Sequence, residues 1–147
     1  MTESNTSAKE LLVAVDFSPC SHRALDAALA WSGERAELTV LHVLDLGLVE
    51  RIESLGLAQR EDVLARMRSH AENELARLVA ERGAQPVETM VVVGEPFVEI
   101  VKIANDLDCD LIFVGIHGRE AGIKQLLFGG TAEQVLRATS RPVVCVP

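Results

Sequence analysis

The chain predicts an α/β fold: a single domain with a five-stranded parallel sheet sandwiched by helices. Three observations carry this expectation. Short apolar runs alternate with amphipathic stretches of helical length along nearly all of the 147 residues. The stretches between successive strands favour right-handed crossovers, which lay the strands parallel and cover the sheet on both faces. No repeat, low-complexity tract or internal linker divides the chain, and a domain this long buries roughly 68–70% of the surface its unfolded form exposes.

The elements follow in order. Residues 1–10 are polar and are expected to form a flexible N-terminus, with the domain spanning 11–147. Leu11 to Val15 reads as a buried strand. Ser18 is placed to cap a helix whose first position is Pro19, with Ala24, Leu25, Ala28 and Leu29 on its inner face. Leu38 to Leu44 is a second strand. Between residues 45 and 60, Leu48, Ile52 and Leu55 carry the spacing of a short amphipathic helix that covers the core, the site or a partner. A long helix from Glu61 to Arg82 places Leu64, Met67, Ala71, Leu75 and Leu78 at three- and four-residue intervals and stops near Gly83. Val87 to Val93 is the third strand. Pro96 opens a helix with Phe97, Ile100, Val101 and Ala104 facing inward. Leu111 to Val114 and Pro142 to Val146 complete the five strands.

Composition narrows the function classes. Apolar residues make up 48% of the chain, yet there is one Trp and no Tyr, so the core is aliphatic and base-stacking recognition of single-stranded nucleic acid is disfavoured. The formal charge of −8, from 22 acidic and 14 basic residues, argues against nucleic-acid and anionic-membrane binding. The three cysteines, Cys20, Cys109 and Cys145, share no metal-ligand spacing and suit reduced thiols in a cytoplasmic protein. Cys20 lies near a helix start, where a thiol pKa can fall, but no basic partner or resolving Cys is evident beside it. No apolar run reaches membrane-spanning length.

The last third holds the chemistry. After the fourth strand come Gly115-Ile116-His117-Gly118, then a basic loop over residues 119–128, then Gly129-Gly130-Thr131 opening a helix. Glycines permit close backbone approach, and a helix N-terminus offers unpaired N–H donors with partial positive charge, a combination suited to phosphate. Parallel sheets bind ligands at the carboxyl ends of their strands, and Asp16, Val43 and Gly115 fall at such ends. Asp16 can accept hydrogen bonds from ribose hydroxyls or organise the turn by bonding backbone N–H groups. Thr131 can contact phosphate or, with Gln134, form a capping box for the last helix. Arg119 and Lys124 can screen phosphate charge or stay solvated. His117 can donate to a phosphate or fill a turn. His42, inside an apolar strand, reads as a satisfied residue of the core or of the site's surroundings, not as a ligand.

Asp110-Leu-Ile-Phe-Val-Gly-Ile-His-Gly, Gly129-Gly-Thr-Ala-Glu-Gln-Val-Leu-Arg and Arg141-Pro-Val-Val-Cys-Val resemble the C-terminal half of the universal stress protein family. Leu12-Val-Ala-Val-Asp-Phe-Ser-Pro is similar to that family's first strand and turn, Leu41-His-Val to its second strand and Gly94-Glu-Pro to its third connection. The resemblance implies a Rossmann-like fold of the adenine nucleotide alpha hydrolase type. It implies binding of ATP, or of AMP or ADP, with Mg²⁺ arriving on the nucleotide. Asp16 would contact the nucleoside, with Ala14, Val15 and Val43 near adenine. Val114, Gly115, His117, Gly118, Arg119, Gly129, Gly130 and Thr131 would belong to the phosphate end.

Two departures stand out from the family signature of Gly-x2-Gly-x9-Gly followed by Ser or Thr. The spacer before Gly129 has ten residues, and Gly130 stands where a hydroxyl is expected. Two readings stay open: a nucleotide-binding regulator or sensor in stress response, and a dimeric stress protein that works through contacts with an unknown client and binds no nucleotide. No catalytic residue is assigned, because no positioned base, nucleophile or metal-binding carboxylate pair is apparent. The resemblance also implies a two-fold homodimer through the strand Pro142 to Val146, which as an edge would offer unpaired backbone groups.

Overall fold

The computed structural model describes residues 9–33, 36–83, 87–117 and 130–147. Its elements run β1 (Lys9–Ala14), α1 (Pro19–Ser32), β2 (Ala36–Asp45), α2 (Leu46–Ser54), α3 (Arg60–Arg82), β3 (Glu88–Gly94), α4 (Pro96–Asp106), β4 (Leu111–Gly115), α5 (Gly130–Ala138) and β5 (Val143–Val146). The strands form one parallel sheet in the order β3-β2-β1-β4-β5. The expected α/β architecture is the observed one. β1 begins at Lys9, two residues before the expected strand start, because Lys9 and Glu10 pair with Ala36 and Glu37 of β2.

Alternation along each strand divides the core in two. On one face Leu11 and Val13 of β1, Val40 of β2 and Phe113 of β4 pack against Ala24, Leu25 and Ala28 of α1 and Leu75 and Leu78 of α3. On the other, Leu12, Leu41, Ile112 and Val114 meet Ile100 and Ala104 of α4 and Ala132 and Val135 of α5. Each large aliphatic side chain buried this way contributes about 1.5–3 kcal/mol. Aliphatic residues fill both layers, with Phe113 the largest fully buried side chain.

Three local readings are corrected by the packing. The inward anchor of α2 is Val49, fully buried, while Leu48 and Leu55 are 45% and 72% exposed. Along α3 the buried residue of the first turn is Val63, with Leu64 and Met67 only half-buried. Gly130 and Thr131 are both already helical in α5, so Thr131 does not hold the non-helical cap position that a Thr131–Gln134 capping box requires. The α1 reading stands: Ser18 is the N-cap, its Oγ accepts from Ser21 N, and Pro19 occupies the first turn.

Candidate functional site

In an open α/β sheet the crevice forms where successive connections leave in opposite directions. Here that switch lies between β1 and β4, neighbours in the sheet whose following helices, α1 and α5, cover opposite faces. Two turns meet at the carboxyl edge of this pair. The turn after β1 carries Asp16, Phe17 and Ser18, and the turn after β4 carries Ile116 and His117. The Ser18 hydroxyl donates to the His117 carbonyl at 3.4 Å, joining them.

The turn after β1 is tightly specified. Asp16 Oδ1 accepts from Ser18 N at 2.9 Å, an Asx-type closure, so the turn-organising role is real. Among the described residues Oδ1 is the Asp16 carboxylate oxygen that carries a hydrogen bond. Phe17 adopts φ +66°, a left-handed conformation that an aromatic residue holds only when its surroundings insist on it. Its ring lies 4.6 Å from that of His42, tilted by 33°. His42 Nδ1 is 2.6 Å from the Val15 carbonyl, so the histidine is a satisfied residue beside the site, as its place in an apolar strand suggests.

Gly115 is required by contact. A Cβ there would stand 2.8 Å from Cys20 Cβ, 2.9 Å from Cys20 C and 2.9 Å from Ser21 N, inside the first turn of α1. The absent side chain therefore lets β4 end directly against a helix N-terminus. Ile116 N continues the ladder by donating to Val146 O at 2.8 Å. At Gly130, by contrast, a Cβ would meet nothing within 4 Å among the described residues.

The expected site residues divide by position. Ala14, Val43 and Val114 lie on the face covered by α4 and α5, the side on which α5 opens. Val15 faces the opposite core, is 3% exposed, and has both backbone groups engaged, N with Leu41 O and O with His42. Its neighbours in the protein thus occupy it, and it supports Asp16 from below. Gly130 and Thr131 are exposed residues of α5. Gly118, Arg119, Lys124 and Gly129 lie outside the described residues. Cys20 does have a basic partner: Arg23, one turn along α1, donates from Nη2 to Sγ at 3.2 Å and from Nε to Pro147 O at 2.6 Å. Burial pushes the Cys109 thiol up to about 11 and the Cys145 thiol upward as well, so both are poor nucleophiles at neutral pH.

The model of the universal stress protein family matches residues 8–147. The chain belongs to this family. It is 30% identical over 153 aligned positions to universal stress protein MJ0577 of Methanocaldococcus jannaschii, covering 94% of each chain. The solved structure of MJ0577 superposes with a TM-score of 0.81 at 29% identity, over 95% of this chain and 96% of that one. A universal stress protein from Archaeoglobus fulgidus, solved in complex with dAMP, gives 0.67 at 26% identity over 96% and 99% of the two chains. Another, solved in complex with cAMP, gives 0.61 at 26% over 95% and 97%. Adenine nucleotides are thus bound by structural neighbours of this universal stress protein. Among the described residues no helix is long and apolar enough to cross a membrane.

Proposed function

We propose that this universal stress protein binds an adenine nucleotide, with ATP the first candidate, and acts as a regulator or sensor in the cytoplasm without dedicated turnover. The nucleotide would lie at the carboxyl edge between β1 and β4. The observation that carries the reading is the meeting of two turns there, the Asp16 turn and the turn following Gly115, through the Ser18–His117 contact. Asp16 Oδ2 would accept from the ribose hydroxyls. Ala14 and Val43 would supply apolar surface for the base, and the backbone N–H groups of Gly129, Gly130 and Thr131 would face phosphate oxygens. Mg²⁺ would be carried in on the phosphates.

Support from the relatives is of the same kind, since two structural neighbours were solved with adenine nucleotides. The second reading, a dimer acting through a protein client without nucleotide, is favoured by two features. The spacer before Gly129 is ten residues long, and Gly130 stands where the family signature places a hydroxyl.

Calorimetric titration with Mg²⁺-ATP and, separately, Mg²⁺-GTP separates the readings. The expected outcome is micromolar ATP binding, weak GTP binding, and an Asp16→Asn variant that binds ATP about ten- to a hundredfold more weakly, the worth of a charge-assisted hydrogen bond. Asparagine keeps an Oδ1 acceptor for Ser18 N, so the turn should survive. Absence of saturable ATP binding at millimolar concentration, in folded protein, would discard the nucleotide reading in favour of the client-binding one.

A further inference from the structure

We infer that His42 is a positioning residue for the nucleotide: it holds the Val15–Phe17 turn from β2 and thereby sets Asp16, without itself touching the ligand. This rests on the nucleotide reading of the site. Four observations lead there. The regular pairing of β1 with β2 ends at Ala14 and Leu41. One more rung forms beyond it, Val15 N to Leu41 O at 2.8 Å. The Val15 carbonyl then finds a side chain, His42 Nδ1 at 2.6 Å. A carbonyl oxygen only accepts, so Nδ1 must carry the proton, and the imidazole is fixed in orientation by that bond. Phe17, held at φ +66°, packs its ring in a tilted contact on that of His42, and His70 of α3 meets the Phe17 ring edge-on at 6.3 Å.

Asp16 sits between the two residues that His42 holds. Its own Oδ1 is committed to Ser18 N, so the direction of its second oxygen follows from where the turn is pinned. With His42 gone, the Val15 carbonyl loses its donor and Phe17 loses the ring that offsets its unfavourable φ. The turn can then relax toward ordinary backbone angles and carry Asp16 away from the crevice. A displacement of an ångström is enough to lose a directional hydrogen bond.

The test uses the full chain with Mg²⁺-ATP as probe. His42→Leu removes the donor, whereas His42→Asn offers an amide N–H at a similar distance from the backbone. The expected result is at least tenfold weaker ATP binding for His42→Leu and recovery to within about threefold of wild type for His42→Asn. The Ser18 amide resonance, which reports the Asp16 closure, should shift in the first variant and return in the second. Unchanged ATP affinity in folded His42→Leu, or an asparagine variant as weak as the leucine one, would overturn the inference. Should His42→Leu fail to fold, imidazole ¹⁵N spectra of the wild-type protein decide: a neutral ring protonated only at Nε2 contradicts it. If wild-type protein does not bind ATP at all, the nucleotide reading has failed, and the Ser18 amide then judges the turn-holding role alone.

Discussion

Single residues at the amino edge of the sheet work against stability, while those at the carboxyl edge shape the site. Glu10 of β1 lies near Glu37 of β2, Glu88 of β3 and Asp110 before β4. Burial, a hydrogen bond to Glu37, and repulsion from Glu37, Asp110 and Glu88 raise its pKa above the ordinary 4.5. An acid whose pKa is higher in the folded state binds its proton more tightly there. Its contribution to stability is therefore unpenalised below pH 4.5 and falls as pH rises through the folded-state value. Glu10→Gln should then stabilise the protein at pH 7, with the gain vanishing toward pH 4. Glutamine can still donate to Glu37, and solvent screening keeps the gain below about 1 kcal/mol. Urea unfolding at the two pH values checks this; an equal or opposite effect at pH 7 would mean that the acidic edge is already relieved by solvent. At the other edge, the tie from His42 to Val15 spans 27 residues and two strands. Composition and spacing could mark His42 as satisfied, but the identity of its partner needed the β1–β2 register. The Arg23–Cys20 contact is different, because a three-residue separation on a helix is a readable signal that could have found it.

At the scale of elements, legibility followed how many anchors each one has. Strands β1, β2 and β4 and helices α1 and α4 emerged from apolar runs and helix starts, since more than one buried position votes in each. By contrast, β3 emerged from its apolar run although only Gly94 in it is buried. The nine-residue α2 has one, Val49. Its rotation is set by the way Asp45 leaves β2 and closes on Gly47 N at 2.9 Å, which a count of leucines cannot reveal. Likewise Thr131 is already helical in α5, so a sequence that could form a capping box there does not use it. The join between α4 and β5 shows how one side chain can organise two elements. Arg141, just ahead of β5, donates to Asn105 Oδ1 at 3.1 Å, Asp108 Oδ1 at 3.1 Å and Cys109 O at 2.6 Å. Asp108 there has φ +52°, so the guanidinium also steadies an unfavourable backbone turn. Arg141→Ala should cost about 1.5–3 kcal/mol, or roughly 3–12 °C in Tm for a domain of this size. Arg141→Lys should recover only part of it, because an ammonium cannot reproduce the fork. Thermal unfolding of both variants measures this; a loss within 0.5 °C for the alanine variant would assign the join to backbone packing alone.

The whole molecule presents two sheet edges, and they are not equivalent. On β3, Arg68 of α3 donates from Nη1 to the Val91 carbonyl at 3.1 Å, a side chain laid against that edge. β5 is the opposite edge, four residues long and half-buried throughout. Its inner carbonyls are known from their partners: Pro142 O accepts from Ile112 N and Val146 O from Ile116 N. Alternation then turns the backbone groups of Val143 and Cys145 away from β4. A second copy related by a two-fold axis could pair there antiparallel, the arrangement implied by the family resemblance and proposed for this chain. Cys145→Pro tests it with little collateral damage, since proline at an outward-facing edge position removes a donor that the β4 ladder does not use. Sedimentation velocity at tens of micromolar should find a dimer for the wild-type chain and a monomer for the variant, with the circular dichroism spectrum retained. A wild-type monomer, or a variant that dimerises equally well, would remove β5 as the interface. Ile116 N bonds directly to Val146 O, a rung that proline at position 145 leaves in place, so the turn after Gly115 should keep its tie to β5 in the variant. The same variant should therefore bind ATP as the wild type does if the β1–β4 crevice is the nucleotide site, and a parallel loss of ATP binding would mean that the dimer itself completes the site.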